Sequence, residues 1–261
     1  MRIFSIPLGI LSILLLLSPL ARAGEVVCEG LYKRHLQGFD DDGAGHMFWS
    51  FTVALVKTDL SGHVQRMVHV RSHHGDLTVY GGRVYVAVNH GAFNQPAGKA
   101  DSWVYVYSAD DLSLIRRVCT PELVHGAGGI ACDGKRFAIV GGLPKGTEVN
   151  YVYEYDLEMR FVKRHVLRSG YTLLGIQTAC WVDDQWWFGC YGGALLRADS
   201  GFSFLGSSAI EASYGIAVRD EKTVWTGRHH GPKWGGKGVV FAMSDIVSPS
   251  NKAGTKKDRA P

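Results

Sequence analysis

Eleven histidines run through this 261-residue chain, and five of them stand at the ends of short apolar runs: His74, His90, His125, His229 and His230. Gln37, Asp76, Asn89, Gln177, Tyr191, Tyr214 and Arg228 occupy comparable ends. Neutral imidazoles drawn together from distant segments can hold a divalent metal, and His74, His125 and His229 form that set, with Asp76 or Gln177 completing the shell. A metal with an open position would polarise a carbonyl or carboxylate and assist removal of a neighbouring proton. Without a metal, His74 oriented by Asp76 would act as a general base, with His229 beside it and Tyr191 or Tyr214 as proton donor. Arg228 has the planar fork that pairs both oxygens of a carboxylate. Trp234 lies in the glycine-rich stretch 231–237 and offers an indole face to a sugar ring.

These residue types also have purely structural uses. His74-Gly75-Asp76 equally suits a turn whose side chains cap backbone groups. Neighbouring residues on a strand point to opposite faces, so at most one of His229 and His230, and one of His73 and His74, can face a common site. Ligands from distant segments lack a diagnostic spacing of the HExxH kind. The chain has no G-x-S-x-G elbow, Walker A lysine or Rossmann glycine pattern, which excludes the chemistries that depend on them.

Short β-strands must position these groups. Apolar runs ending at an Asp recur at 54–59, 103–110, 151–156 and 194–199, each followed by another short apolar segment. Tight-turn pairs precede the central strands, as at Gly81-Gly82, Asp133-Gly134 and Asp183-Asp184, and such pairs supply the positive φ that two-residue hairpins need. Second strands starting near Met47, Arg83, Lys135, Gln185 and Lys222 are spaced close to the ~40–50 residues of a propeller blade. The run 238–245 has no partner after it, and the unmatched segment 26–35 lies at the other end of the chain. The expected fold is therefore all-β: a five-bladed β-propeller of four-stranded blades, with the N-terminal strand completing the last blade. Closure of this kind removes an exposed sheet edge. Inner strands then begin, and second strands end, at one mouth of the central channel, where the polar residues above would gather. Inserts at 91–101, 143–150 and 231–237 would rise over that mouth, as binding loops on rigid scaffolds do.

In this architecture, and in phrases such as Leu55-Val56-Lys57-Thr58-Asp59-Leu60-Ser61-Gly62, the chain resembles the small secreted bacterial five-bladed propellers. It departs from the calcium-binding lactonase propellers, which have six blades, and lacks the acidic triad of five-bladed glycosidases. The resemblance implies a fold and a mouth, and no particular chemistry.

Residues 1–23 combine an early Arg2, the apolar run 10–17 and Ala21-Arg22-Ala23. That is the pattern of a signal peptide, with cleavage near Ala23-Gly24 and a secreted or periplasmic product not stably inserted in a membrane. Residues 24–246 form the propeller domain, and 247–261 read as a disordered basic tail. The formal charge is +4, with 28 basic and 24 acidic residues. Without Arg2 and Arg22 the balance is 26 to 24. Without the tail's Lys252, Lys256, Lys257, Arg259 and Asp258 it becomes 22 to 23, which argues against a nucleic-acid partner. Five cysteines (Cys28, Cys119, Cys132, Cys180 and Cys190) leave at least one unpaired; Cys132 and Cys180 stand at similar places in successive units and could lie close, but buried free thiols suit them better, and no CxxC pair supports a zinc site. The functional expectation is a small polar ligand, carbohydrate or uronate-like, held by Gln37, Asp76, Asn89, His90, His125, Gln177, Tyr214, Arg228 and Trp234. The alternatives are a lyase or hydrolase using His74, Tyr191 and His229, with or without a divalent metal, and a protein-interaction scaffold.

Overall fold

The computed structural model describes residues 24–219, 223–232 and 235–243. Trp234, residues 1–23 and residues 247–261 lie outside the described residues. Twenty strands form five antiparallel four-stranded sheets. Blade 1 comprises β2 (Leu36–Asp41), β3 (His46–Phe51), β4 (Ala54–Asp59) and β5 (Val64–His69). Blade 2 comprises β6 (His74–Tyr80), β7 (Arg83–Asn89), β8 (Ser102–Ser108) and β9 (Leu114–Cys119). Blade 3 comprises β10 (Ala127–Cys132), β11 (Phe137–Gly141), β12 (Asn150–Tyr155) and β13 (Phe161–Leu167). Blade 4 comprises β14 (Ile176–Val182), β15 (Gln185–Cys190), β16 (Ala194–Asp199) and β17 (Phe204–Ala209). Blade 5 runs β18 (Ile216–Arg219), β19 (Thr223–His230), β20 (Lys237–Ala242) and then β1 (Glu25–Val27) from the opposite end of the chain. Val26 pairs with Val240, and the bridge between Tyr32 and Gly236 extends the seam. The expected closure is present.

Local chemistry explains the hairpins. Gly81 and Gly82 have φ of 58° and 71°, and Asp183 and Asp184 have 45° and 59°. Two successive left-handed residues match the turn twist to that of the flanking strands. The apolar faces bury between blades rather than in one central core. Five clusters form, one at each interface: Phe48 and Leu55 meet Val84 and Val86 between blades 1 and 2, and Val140 and Val152 meet Trp186 and Phe188 between blades 3 and 4. Trp49 and Trp225 share the cluster joining blades 5 and 1. Side chains on both faces of the inner strands are largely consumed by packing, and polar positions remain at the strand ends around the axis and along the outer strands. Among the described residues no helix is long and apolar enough to cross a membrane.

Candidate functional site

A cavity of about 220 Å³ opens at the expected mouth. Its walls come from His35, Gln37, His73, Asn89, Gln177 and Tyr191 on the polar side, and from Phe93, Leu174 and a floor of Gly75 and Gly128. One device recurs at its base. The register of the inner strand shifts between Leu36 and Gly38, between His74 and Leu77, between Ala127 and Gly129, and between Ile176 and Thr178. Each shift is a β-bulge, which leaves a residue unpaired and re-aims it. Gln37, Gly75, Gly128 and Gln177 fall in these bulges, and all four line the cavity.

The residue just before each inner strand also matters. It is His35 in blade 1, His73 in blade 2, and Gly126, Gly175 and Gly215 in blades 3 to 5. Two imidazoles therefore stand on one side and backbone on the other. Gln37 lies between them and is nearly buried, at 8% exposure. Its Nε2 donates to Thr52 Oγ1 at 2.9 Å, and it lies 3.5 Å from His35 Nε2 and 3.4 Å from His73 Nε2. One amide has two N–H groups for three acceptors, so Thr52 and the two imidazoles share this donor. Burial, with His35 and Arg34 adding to it, holds the His73 imidazole down at about 4, although the side chain opens to the cavity. Burial pushes the Tyr191 phenol up to about 12. Both are neutral near pH 7.

Aromatic side chains continue from the cavity to the rim. Tyr191 meets Tyr214 edge-on at 6.0 Å, Tyr214 meets His35 at 5.8 Å, and His35 meets His229 at 6.3 Å. On the opposite side the 91–101 insert folds over blade 3. Asn94 N donates to His125 O, Leu143 N donates to Asn94 Oδ1, and His125 Nδ1 donates to Gln95 O. Phe93 seats on Gly126, where a Cβ would come within 2.3 Å of its ring. Asn89 anchors both ends of this insert, donating to Gly91 O and accepting from Asp101 N.

Several residues expected at the mouth stand elsewhere. His74 is fully enclosed, its Nδ1 donating to Arg71 O and its Nε2 accepting from Tyr107 Oη, both at 2.8 Å. Its neighbour His73 takes the cavity position. His90 bonds Ser72 O and Tyr105 Oη, and His125 packs beside Tyr151; neither lines the cavity. Arg228 is exposed and lies over Phe241, away from the axis, and His230 packs on the same ring. Asp76 is carried below the floor into the channel, accepting from Ala179 N of blade 4 at 3.0 Å, while its Oδ1 presses on Gly38 without a partner. His74, His125 and His229 do not converge, and among the described residues no three His, Cys, Asp or Glu side chains are placed to hold a metal ion. His35 and His73 were missed. The available signal was their shared place immediately before an inner strand.

Comparison with known proteins bears on the fold. No family model matches the chain, and no curated protein matches it. Among solved structures, glutaminyl cyclase from Myxococcus xanthus is similar at a TM-score of 0.55 and 15% identity, over 84% of this chain and 97% of the cyclase. BamB from Moraxella catarrhalis matches at 0.41 and 15%, over 74% of this chain and 58% of BamB. The WD40 domain of Neurospora crassa Pan2 matches at 0.45 and 10%, over 79% and 63%. The cyclase comparison places the chain among propellers and goes no further.

Proposed function

We propose that this propeller binds a small, uncharged polar molecule in the axial cavity, with a neutral saccharide unit as the first candidate. One observation carries the reading: among the described residues the polar lining of the cavity consists of amides, imidazoles and a phenol, with no Asp, Glu, Lys or Arg. Hydroxyl groups pair with such donors and acceptors, and Phe93 and Leu174 offer an apolar face to the C–H side of a sugar. The volume lies below the ~300–1,000 Å³ of sites for drug-sized ligands, so the ligand is a single small unit or a chain end. A uronate fits poorly, because Arg228 lies over Phe241 instead of facing the cavity. The protein is further proposed to act outside the cytoplasm, on the strength of the leader pattern in residues 1–23.

Calorimetric titration with neutral monosaccharides, the matching uronic acids and a dipeptide with N-terminal glutamine tests this. The neutral sugars should bind, and Gln37→Leu should weaken them at least tenfold, because the donor shared by Thr52 and the imidazoles is lost. Preference for the uronates, or no binding by any sugar, would overturn the reading. The dipeptide is included because the fold is shared with an enzyme named for a glutaminyl group; its conversion to product would replace binding by catalysis. In that case His35 and His73, not His74, are the bases in reach.

A further inference from the structure

The outer strands of three consecutive blades share a composition that the interior does not require. They read Val-Gln-Arg-Met-Val-His in β5, Leu-Ile-Arg-Arg-Val-Cys in β9 and Phe-Val-Lys-Arg-His-Val-Leu in β13. None contains an acidic residue. The outer strands of blades 4 and 5, Phe-Leu-Gly-Ser-Ser-Ala and Glu-Val-Val, carry no basic one. Positive charge on the outer edges is thus confined to one arc of the perimeter.

Edge strands are often blunted by charge to prevent sheet-to-sheet aggregation. Charge of a single sign does this selectively: it repels a second copy of the same edge and accepts a strand of opposite charge. β13 is the most developed case. Only β12 pairs with it, and among the described residues no further backbone bond is made by residues 162–166. Lys163, Arg164 and Arg168 are exposed, as are Val162 at 55% and Val166 at 47%. The carboxylate of Glu154, on the neighbouring strand, is taken up by Arg136 and His165. Beside β13 runs a groove of about 610 Å³, closed on the far side by residues 201–204 of blade 4, with no acidic residue among the described residues of its walls.

We propose that the outer edge of blade 3 docks an acidic, extended polypeptide segment of a partner protein, which adds as a fifth strand beside β13 along this groove. The open N–H and C=O groups favour a peptide over an anionic polysaccharide, because only a peptide backbone completes the ladder. Val166 shares a face with Arg164, and Val162 lies beside Lys163, so the edge favours a segment that carries both acidic and aliphatic residues, for which an alternating sequence is the simplest probe.

The test uses the full chain and fluorescein-labelled hexapeptides followed by anisotropy at low salt. An alternating Glu-Val peptide should bind and a Lys-Val peptide should not. Methylating backbone nitrogens along one edge of the Glu-Val peptide should abolish binding, and methylating the other edge should leave it unchanged. Lys163→Glu/Arg164→Glu should weaken binding at least tenfold with an unaltered circular dichroism spectrum. Gln37→Leu should have no effect, which separates this surface from the axial cavity. Hydrogen exchange of the β13 amides should slow when peptide is added. Tolerance of methylation on both edges, equal binding of dextran sulfate, or no binding of the Glu-Val peptide would overturn the proposal.

Discussion

Asp40 and Asp76 sit on inner strands with their carboxyls turned into the protein. Asp40 accepts from Val79 N and from Thr78 Oγ1, yet burial outweighs these bonds and, with Asp41 beside it, raises its pKa to about 7. Asp76 is raised well above the ordinary range by the same cause. Both acids hold their protons more tightly when folded, so their contribution to stability falls as pH rises from about 3.8 towards 7 and beyond. His73 and His74, both held near 4 chiefly by burial, act oppositely and add stability as pH rises from 4 to 6.5. The two effects oppose one another below 6.5, so the decisive quantity is a difference between proteins. Asp40→Asn should gain on the wild type by on the order of 1–3 kcal/mol between pH 5 and pH 8, measured as urea midpoints. Parallel pH dependences of the two proteins would rule this out.

Between elements, the blades are tied by basic side chains that reach a turn carbonyl of the next blade. Lys57 of blade 1 donates to Ala109 O at 2.9 Å and Asp110 O at 3.2 Å, and Arg66 to Asp111 O. Arg116 of blade 2 reaches Glu158 O, and Arg136 of blade 3 reaches Ser200 O. Lys57 is 8% exposed, and its ammonium also lies 5.7 Å from the centre of the Phe48 ring. Lys57→Met keeps the aliphatic stem and removes the donor, and it should cost about 1–3 kcal/mol in thermal or urea unfolding. Arg66→Met, on an exposed side chain, should cost under about 1 kcal/mol. The bulges act at this scale too. They occur at the start of β2, β6, β10 and β14 and convert strand ends into cavity wall.

For the whole molecule, the seam between β1 and β20 decides whether the five sheets remain one closed body. Ala242 N donates to Gly24 O, and Cys28 N donates to Gly238 O. Val26, midway between them and paired with Val240, therefore belongs to the hydrogen-bonded set. Val26→Pro should remove one ladder bond, strain β1 and lower stability by about 2–4 kcal/mol, with association through the uncovered β20 edge visible in size-exclusion chromatography. An unchanged melting temperature and a monomeric profile would mean that the seam contributes little.

Fold and closure were legible in the chain because they rest on local signals. Alternating apolar runs, Gly-Gly and Asp-Asp turn pairs, and one unmatched strand at each end act over a few residues and repeat. The mouth was legible as a region for the same reason, since strand ends can be located by counting. Which side chain enters it was not. A strand directs neighbouring residues to opposite faces, and a single bulge reverses that parity. Hence His73 faces the cavity and His74 is enclosed against Tyr107; His229 turns in towards His35, and Arg228 turns out onto Phe241. The sequence by itself determined five four-stranded blades and the mouth at which polar groups collect. Only the tertiary structure decided that the cavity presents neutral groups and that the charged ones face elsewhere, because bulge placement depends on how closely neighbouring inner strands approach around the axis.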